Sequence, residues 1–282
     1  MILDKPPGAA PVCIRGLDRY DAPRMSPTLP LLLASGFGAG TAGALLGIGG
    51  GVLLVPLLTL GFHVPLASAV AASLVAVIGT SSGAASAYVT DRLCDVPLGM
   101  TLELATAAGA IAGALAEPFL PKALLRAVFA LLLLYVAGLL AFGRSRAHDQ
   151  EGAAQEYAVR RLPFGLGVSL LAGGLSGTLG IGGGPIKVPA MNLAMGVPFK
   201  VASATSNFMI GVTAAASVVC YYERGQIDLA LAGPIAVGVV LGAMVGSRLM
   251  PHLQTRALKR VFSLVLAFAA IQMGLRAFGG AA

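Results

Sequence analysis

The sequence predicts an all-α integral membrane protein built from two repeats of four membrane segments each. Three observations support this fold class: the composition, the length of the apolar segments and an internal duplication. Of the 282 residues, 57% are hydrophobic and only 11% are charged, whereas a soluble domain carries about 25% charged residues. The 38 glycines suit the close packing of helices in lipid. The lipid bilayer is therefore an expected partner.

About eight apolar segments follow one another along the chain, and most could cross a hydrocarbon core of about 30 Å as helices. They cover residues 28–60, 64–89, 96–117, 122–142, 163–195, 198–222, 229–250 and 257–279. This order predicts four regions: an aqueous N-terminal tail (1–27), repeat 1 (28–142), a polar linker (143–161) and repeat 2 (162–282).

The charges and cysteines exclude several other classes of protein. A net charge of +7 would suggest nucleic acid as the partner of a soluble protein. Here the basic residues lie mostly between the apolar segments, where they set membrane orientation, so no nucleic-acid partner is expected. The three cysteines are odd in number and unpatterned, so neither a disulfide framework nor a metal site is expected. G-x-G-x-x-G at 38–43 matches a dinucleotide-binding motif, but it lies within a membrane segment and no strand precedes it, so no cofactor is expected.

The two halves are duplicates that align without gaps at an offset of 133 residues. The string GIGGG occurs at 47–51 and again at 180–184, and Val-Pro follows each copy at the same distance. Further matches are Ser73 with Ser206, Tyr88 with Tyr221, Asp95 with Asp228 and Pro118 with Pro251. Internal repeats are typical of secondary transporters, whose substrate path lies between the halves.

The first segment of each repeat is too long for one crossing and too short for two. Residues 28–60 would span about 50 Å as a single helix. GIGGG divides this segment, and Pro56 weakens the second arm; Pro189 does the same in repeat 2. Segments one and five are therefore predicted to be broken or re-entrant. The small asymmetry of Lys and Arg leaves open the membrane orientation, and whether the halves are parallel or inverted.

The glycine strings are predicted to form an anion site. Irregular backbone at membrane depth is tolerated only where protein or water covers it. The N–H groups that begin the second arm, together with the helix dipole, favour an anion. The alternative is that glycine only permits close helix crossing, and two copies in register favour binding. The candidate backbone contacts are Gly47, Gly49, Gly50, Gly51, Gly180, Gly182, Gly183 and Gly184.

Lys187 is the candidate source of positive charge, and it occurs only in repeat 2, opposite Leu54 in repeat 1. Placing a lysine at the bilayer centre costs about 2.5–3.5 kcal/mol, and such charges are functional hypotheses by default. The alternative is that the side chain snorkels to the interface. Ser73, Ser206 and Asn207 are candidate side-chain contacts, although hydroxyls also bond back to their own helix.

The acidic residues receive structural interpretations. Glu103 and Glu117 are the two acidic residues within crossing segments. A buried Glu could carry a coupling proton, but we interpret both as side chains that reach water. Asp95 and Asp228 precede helices and are predicted N-caps. The small-residue strings 109–113 and 242–246 are predicted helix-packing faces.

The motifs resemble those of the TauE/SafE sulfite exporter family, also called TSUP. The resemblance rests on the doubled GIGGG…VP, followed by VPLASAVAASLVAV in one half and VPFKVASATSNFMI in the other, and covers about residues 30–278. It implies a multi-pass carrier of the bacterial inner membrane for sulfite, sulfonates or other small anions. Many relatives have Thr-Ser in both repeats; this chain has ATS at 204–206 but AAS at 71–73.

We therefore predict a secondary transporter, a permease or exporter, that moves a small anion by alternating access between the repeats. The expected substrate is sulfite, an organosulfonate or a related sulfur oxyanion, with a proton or sodium as coupling ion; a homodimer is left open. The alternatives are a carrier for carboxylates or a metal cation, a non-transporting membrane protein, and an intramembrane enzyme. No catalytic constellation supports the last of these, and no enzyme activity is expected.

Overall fold

The computed structural model describes residues 28–90, 93–142, 159–249 and 255–278. Within these residues the chain is helical and contains no strand. Seven of the helices are long and apolar enough to cross a membrane, so the protein is an all-α membrane protein. The predicted tail at 1–27 and most of the predicted linker at 143–161 lie outside the described residues.

In the described residues, ten α-helices follow the predicted segments. They are α1 (Thr28–Leu46), α2 (Gly51–Pro56), α3 (Leu66–Thr90), α4 (Val96–Ala116), α5 (Lys122–Phe142), α6 (Leu162–Leu179), α7 (Gly184–Pro189), α8 (Phe199–Glu223), α9 (Leu229–Leu249) and α10 (Thr255–Phe278). The seven long apolar spans lie on α1, α3, α4, α5, α6, α8 and α9. α10 lies in the eighth predicted segment and carries the apolar stretch Ser263–Leu275.

The first segment of each repeat is interrupted at its glycine string. Residues 47–50, here called break 1, separate α1 from α2, and residues 180–183, called break 2, separate α6 from α7. The short helices α2 and α7 end at Pro56 and Pro189 and continue as π-helical turns. A proline lacks the N–H that an α-helix needs and clashes with the preceding turn, which explains the wider turns. Re-entrance into the bilayer stays a prediction.

Helices of one half pack mainly against helices of the other half. α1 packs on α9, and its counterpart α6 packs on α4. α3 packs on α8 and α9, α8 also packs on α4, and α5 packs on α10. Each of these contacts therefore has an equivalent at the offset of the duplication. The two breaks consequently lie within an interface formed by both halves.

Glycines bring the paired helices to backbone contact. A Cβ placed on Gly109 or Gly113 of α4 would overlap the carbonyl oxygen of Leu170 or Gly174 on α6. The equivalent glycines of α9, Gly242 and Gly246, face carbonyl oxygens of α1 in the same way. The two small-residue strings are thus packing faces, as predicted. The aspartate caps are also confirmed: Asp95 and Asp228 each accept a backbone N–H of the following helix, from Leu98 at 3.0 Å and from Ala230 at 2.9 Å.

We predict that Gly173→Ala destabilises the α4–α6 pair. A Cβ at Gly173 would overlap the carbonyl oxygen of Thr106 and lie 3.0 Å from the backbone N of Ala110. Such overpacking typically costs about 1–3 kcal/mol. The melting temperature of the purified protein in detergent should fall. Gly167→Ala on the same helix is the matched control, because no atom lies within 4 Å of its added Cβ. Equal melting temperatures for the two variants would contradict the packing assignment.

Candidate functional site

The two breaks contact each other inside the bundle. A Cβ placed on Gly184, the first residue of α7, would lie 2.6 Å from the carbonyl oxygen of Gly47. A Cβ placed on Gly51, the first residue of α2, would overlap the carbonyl oxygen of Gly180. Each short helix therefore begins directly against the first glycine of the opposite break. Only glycine permits this approach of two backbones.

The breaks also require the left-handed backbone conformation that glycine adopts readily. Gly47 and Gly49 have φ of 68° and 74°, and their counterparts Gly180 and Gly182 have φ of 72° and 77°. The two breaks differ at their last residue, because Gly183 has φ of 73° whereas Gly50 has φ of −64°. The glycine string thus forms turns, and its role is not limited to helix crossing.

Side chains of the following helices close over the breaks. The Ser73 hydroxyl on α3 donates to the carbonyl oxygen of Gly180 at 2.8 Å. On the other side, Gly47 lies against Ser203 of α8. Two tyrosines complete the pattern: the hydroxyl of Tyr88 donates to Ala44 O, and that of its counterpart Tyr221 donates to the equivalent Gly177 O, each at 2.9 Å. These bonds satisfy carbonyl groups at the ends of α1 and α6.

The predicted side-chain contacts fall into two groups. Ser73 is engaged in holding break 2. Asn207 donates its Nδ2 to the carbonyl oxygen of Ala44 at 3.0 Å, but its Oδ1 is buried without a hydrogen-bond partner. The hydroxyls of Ser203 and Ser206 on the same helix are likewise buried and unpartnered. Buried polar groups are normally paired, so this face of α8 retains hydrogen-bonding capacity that a ligand could use.

Lys187 lies inside the bundle and does not reach an interface. Its side chain is 0% exposed, and its Nζ lies 3.5 Å from Oε2 of Glu103 on α4. A Cβ placed on Gly183 would lie 3.4 Å from Lys187 Cε, so the aliphatic stem of the lysine runs beside break 2. The snorkelling alternative is therefore not observed. Lys187 brings a positive charge to the break, as its position in the sequence suggests.

Glu103 does not reach water, and this interpretation of the sequence was wrong. Its side chain is 7% exposed, and its Oε1 accepts a hydrogen bond from the Thr213 hydroxyl of α8 at 2.6 Å. The duplication contained a signal that both residues are exceptional. The residues at the equivalent positions in the other half are Leu54 for Lys187 and Ala236 for Glu103. Neither charge has a charged counterpart in the other half. The ion pair therefore forms at one of the two positions that the duplication makes equivalent.

Glu117, directly after the end of α4, forms another ion pair. Its Oε2 lies 3.3 Å from Arg224 Nη1, and the side chains are 12% and 23% exposed. Arg224 also donates to the carbonyl oxygen of Ala114 and lies over the ring of Tyr221. Water reaches this pair, so its role is to join the end of α4 to the end of α8. Nothing in the sequence pattern marked Arg224 in advance.

Two interrupted helices that meet inside a helical membrane bundle, beside a buried charge pair, are typical of membrane transporters. The sequence model of the family described as "Sulfite exporter TauE/SafE" matches residues 32–273. The chain belongs to this family of membrane transporters.

Relatives cover most of the chain. "Probable membrane transporter protein YunE" of Bacillus subtilis is 27% identical over 262 residues, 86% of this chain and 96% of the relative. "Probable membrane transporter protein MJ0441" of Methanocaldococcus jannaschii is 26% identical over 253 residues, 84% of this chain and 92% of the relative. "Sulfite exporter TauE/SafE family protein 6" of Arabidopsis thaliana is 35% identical over 108 residues, 37% of this chain and 25% of the relative. No solved structure matches the chain.

Proposed function

We propose that this protein is a secondary transporter that carries a small sulfur oxyanion or sulfonate across the bacterial inner membrane. One observation carries the proposal: the ammonium of Lys187 is buried beside break 2, with one carboxylate at 3.5 Å and no hydrogen-bond partner. An ammonium has three donors. A small oxyanion could take up donors that the protein leaves unused.

The surroundings of Lys187 suit an oxyanion. At the start of α7, Pro185 has no N–H, and the next two N–H groups donate to the carbonyl oxygen of Gly183. The N–H of Gly184, three residues before the lysine, is the remaining donor that a ligand could use. On the side of break 1, the unpartnered hydroxyl of Ser206 and Oδ1 of Asn207 supply further polar atoms on α8, and Asn207 lies at the end of α1. We propose that these side chains, with Ser73 as a support of break 2, contact or position the anion together with the glycines of both breaks.

The location of the breaks supports alternating access. Both lie between the two halves, and their contacts run from glycine to the opposite backbone. Movement of one half against the other would open this contact first to one side of the membrane and then to the other. Such a cycle needs neither a cofactor nor catalysis, and we propose no enzyme activity.

A carboxylate carrier is the second candidate, because a carboxylate would meet the same lysine. A metal cation fits less well. In the described part of the chain no group of three or more His, Cys, Asp and Glu side chains lies together, and the buried lysine repels a cation. A substrate panel separates these candidates.

The test is flux into proteoliposomes that contain the purified protein. The panel is sulfite, thiosulfate, methanesulfonate, taurine, lactate and a divalent metal ion. A thermal-shift screen with the same compounds runs in parallel, because a ligand of the native state raises the melting temperature. Flux and stabilisation by a sulfur oxyanion or sulfonate would support the proposal. Flux of the metal ion alone, or of none of the compounds, would overturn it.

We predict that Lys187→Gln lowers anion flux by about 10- to 100-fold, since a hydrogen bond to a charged group contributes about 1.5–3 kcal/mol. The measurement is initial uptake of the carried anion at matched amounts of reconstituted protein. Lys122→Gln is the matched control, because Lys122 is exposed at the start of α5. Wild-type flux and wild-type affinity in Lys187→Gln would exclude this lysine from the anion site.

A further inference from the structure

The Glu103–Lys187 pair is isolated from other charges. α6, which packs against both α4 and α7, has no ionisable side chain between residues 162 and 179. The ionisable residues of α8 lie near its ends: Lys200, Cys220, Tyr221, Tyr222 and Glu223. Among the described residues of these helices, Lys187 is therefore the one charged group that faces Glu103. Each member of the pair depends on the other for its counter-charge.

The pair is also incomplete as a structural salt bridge. Thr213 donates to one carboxylate oxygen of Glu103, but Oε2 and the lysine Nζ have no hydrogen-bond partner. Thr213 lies close to the midpoint of α8, so the pair is deep in the bundle. A pair with a purely structural role needs further hydrogen bonds to offset the desolvation of two charges. Unused capacity on both partners suits a pair that opens during function.

We propose that Glu103 carries the coupling proton of transport, so that one proton moves with each anion in the same direction. This inference rests on the proposed function. The arriving anion and the Glu103 carboxylate compete for the ammonium of Lys187. When the anion wins, the carboxylate is left without a counter-charge in an apolar interior, where an isolated charge is very costly. A proton from water then binds to a carboxylate oxygen of Glu103 and forms the O–H bond of the neutral acid.

The charge balance explains why the carrier can change conformation both when it is empty and when it holds an anion. In the empty state, the ammonium and the carboxylate sum to zero. In the loaded state, the ammonium, a monovalent anion and the neutral acid also sum to zero. Either state therefore avoids a net charge within the low-dielectric interior during the conformational change. Release of the anion returns the carboxylate to Lys187 and the proton to water on that side.

The experiment measures whether a proton gradient drives the accumulation of an anion. Proteoliposomes receive radiolabelled methanesulfonate, sulfite, thiosulfate or lactate with acid outside, and valinomycin with equal potassium concentrations holds the membrane potential at zero. For one proton per monovalent anion, wild-type protein should accumulate the anion about tenfold per unit of pH difference. Glu103→Gln, which cannot take up a proton, should still exchange tracer anion at equilibrium but should accumulate none.

Two controls keep the outcomes distinct. Glu117→Gln alters the carboxylate of the other ion pair and should accumulate the anion as wild type does. An internal pH dye in wild-type vesicles should report acidification during anion entry, a measurement that does not depend on any variant folding. If none of the four anions crosses, the proposed function itself fails. If anions cross but neither accumulation nor acidification follows, or if Glu103→Gln accumulates normally, the coupling role of Glu103 is wrong while transport stands.

Discussion

Glu103→Ala should unfold at a much lower temperature than wild type, whereas Glu103→Ala/Lys187→Leu should regain most of the stability and carry no anion. Removing one partner of a buried pair leaves an uncompensated charge and typically costs about 3–5 kcal/mol. Replacing both partners by apolar residues is often neutral or stabilising. The double variant copies the other half of this protein, where Leu54 and Ala236 occupy the equivalent positions.

The melting temperature in detergent tests the expected stability, and anion flux in proteoliposomes tests the expected loss of transport. Glu117→Ala is the comparison for stability and should lose less, because water reaches the Glu117–Arg224 pair. If Glu103→Ala is as stable as wild type, the buried ammonium of Lys187 does not need the Glu103 carboxylate as its counter-charge. A double variant that carries anions at the wild-type rate would remove the pair from the transport mechanism.

Gly47→Ala should abolish both stable folding and transport, and Gly180→Ala should have a similar effect. At Gly47 an added Cβ would overlap the Ser203 hydroxyl and lie 2.6 Å from Ser203 Cα. The backbone φ of 68° adds a second cost. Overpacking of about 1–3 kcal/mol and a left-handed penalty of about 1–2 kcal/mol act together at this position. Expression, size-exclusion behaviour and melting temperature report the loss.

Gly225→Ala separates the two causes. Gly225 has a comparable φ of 65°, but no atom lies within 4 Å of an added Cβ. This variant should therefore lose only about 1–2 kcal/mol and retain transport. If Gly47→Ala and Gly225→Ala lose the same amount, the contact between break 1 and α8 contributes nothing. That result would contradict the close packing of break 1 against α8.

The features that occur in both repeats and the features that occur in only one repeat have different roles. The breaks, the tyrosine hydrogen bonds and the glycine contacts occur on both sides, and they form the frame in which the halves meet. The charge pair lies beside break 2, and the unpartnered oxygen of Asn207 lies on the side of break 1; neither feature has a counterpart in the other half. Under the proposed function, the single buried lysine places the anion site on the side of break 2.

The departures from the duplication could have been interpreted further from the sequence. Lys187 stands out because a charge follows a glycine string, whereas Glu103 was interpreted only as a side chain that reaches water. Comparison with Ala236 shows that Glu103 is as exceptional in its half as Lys187 is in the other. The partnership itself was not predictable, because the two residues belong to different segments whose packing is not encoded locally.

The sequence alone determined that this is a helical membrane protein, where its helices begin and end to within a few residues, and which family it resembles. Hydropathy, glycine and proline act over a few neighbouring residues, so their effects can be recognised without knowledge of the fold. The tertiary structure alone decided that the two breaks touch and that Lys187 faces Glu103 and Thr213. Those contacts join helices far apart in the chain, and they depend on how closely glycine lets backbones approach.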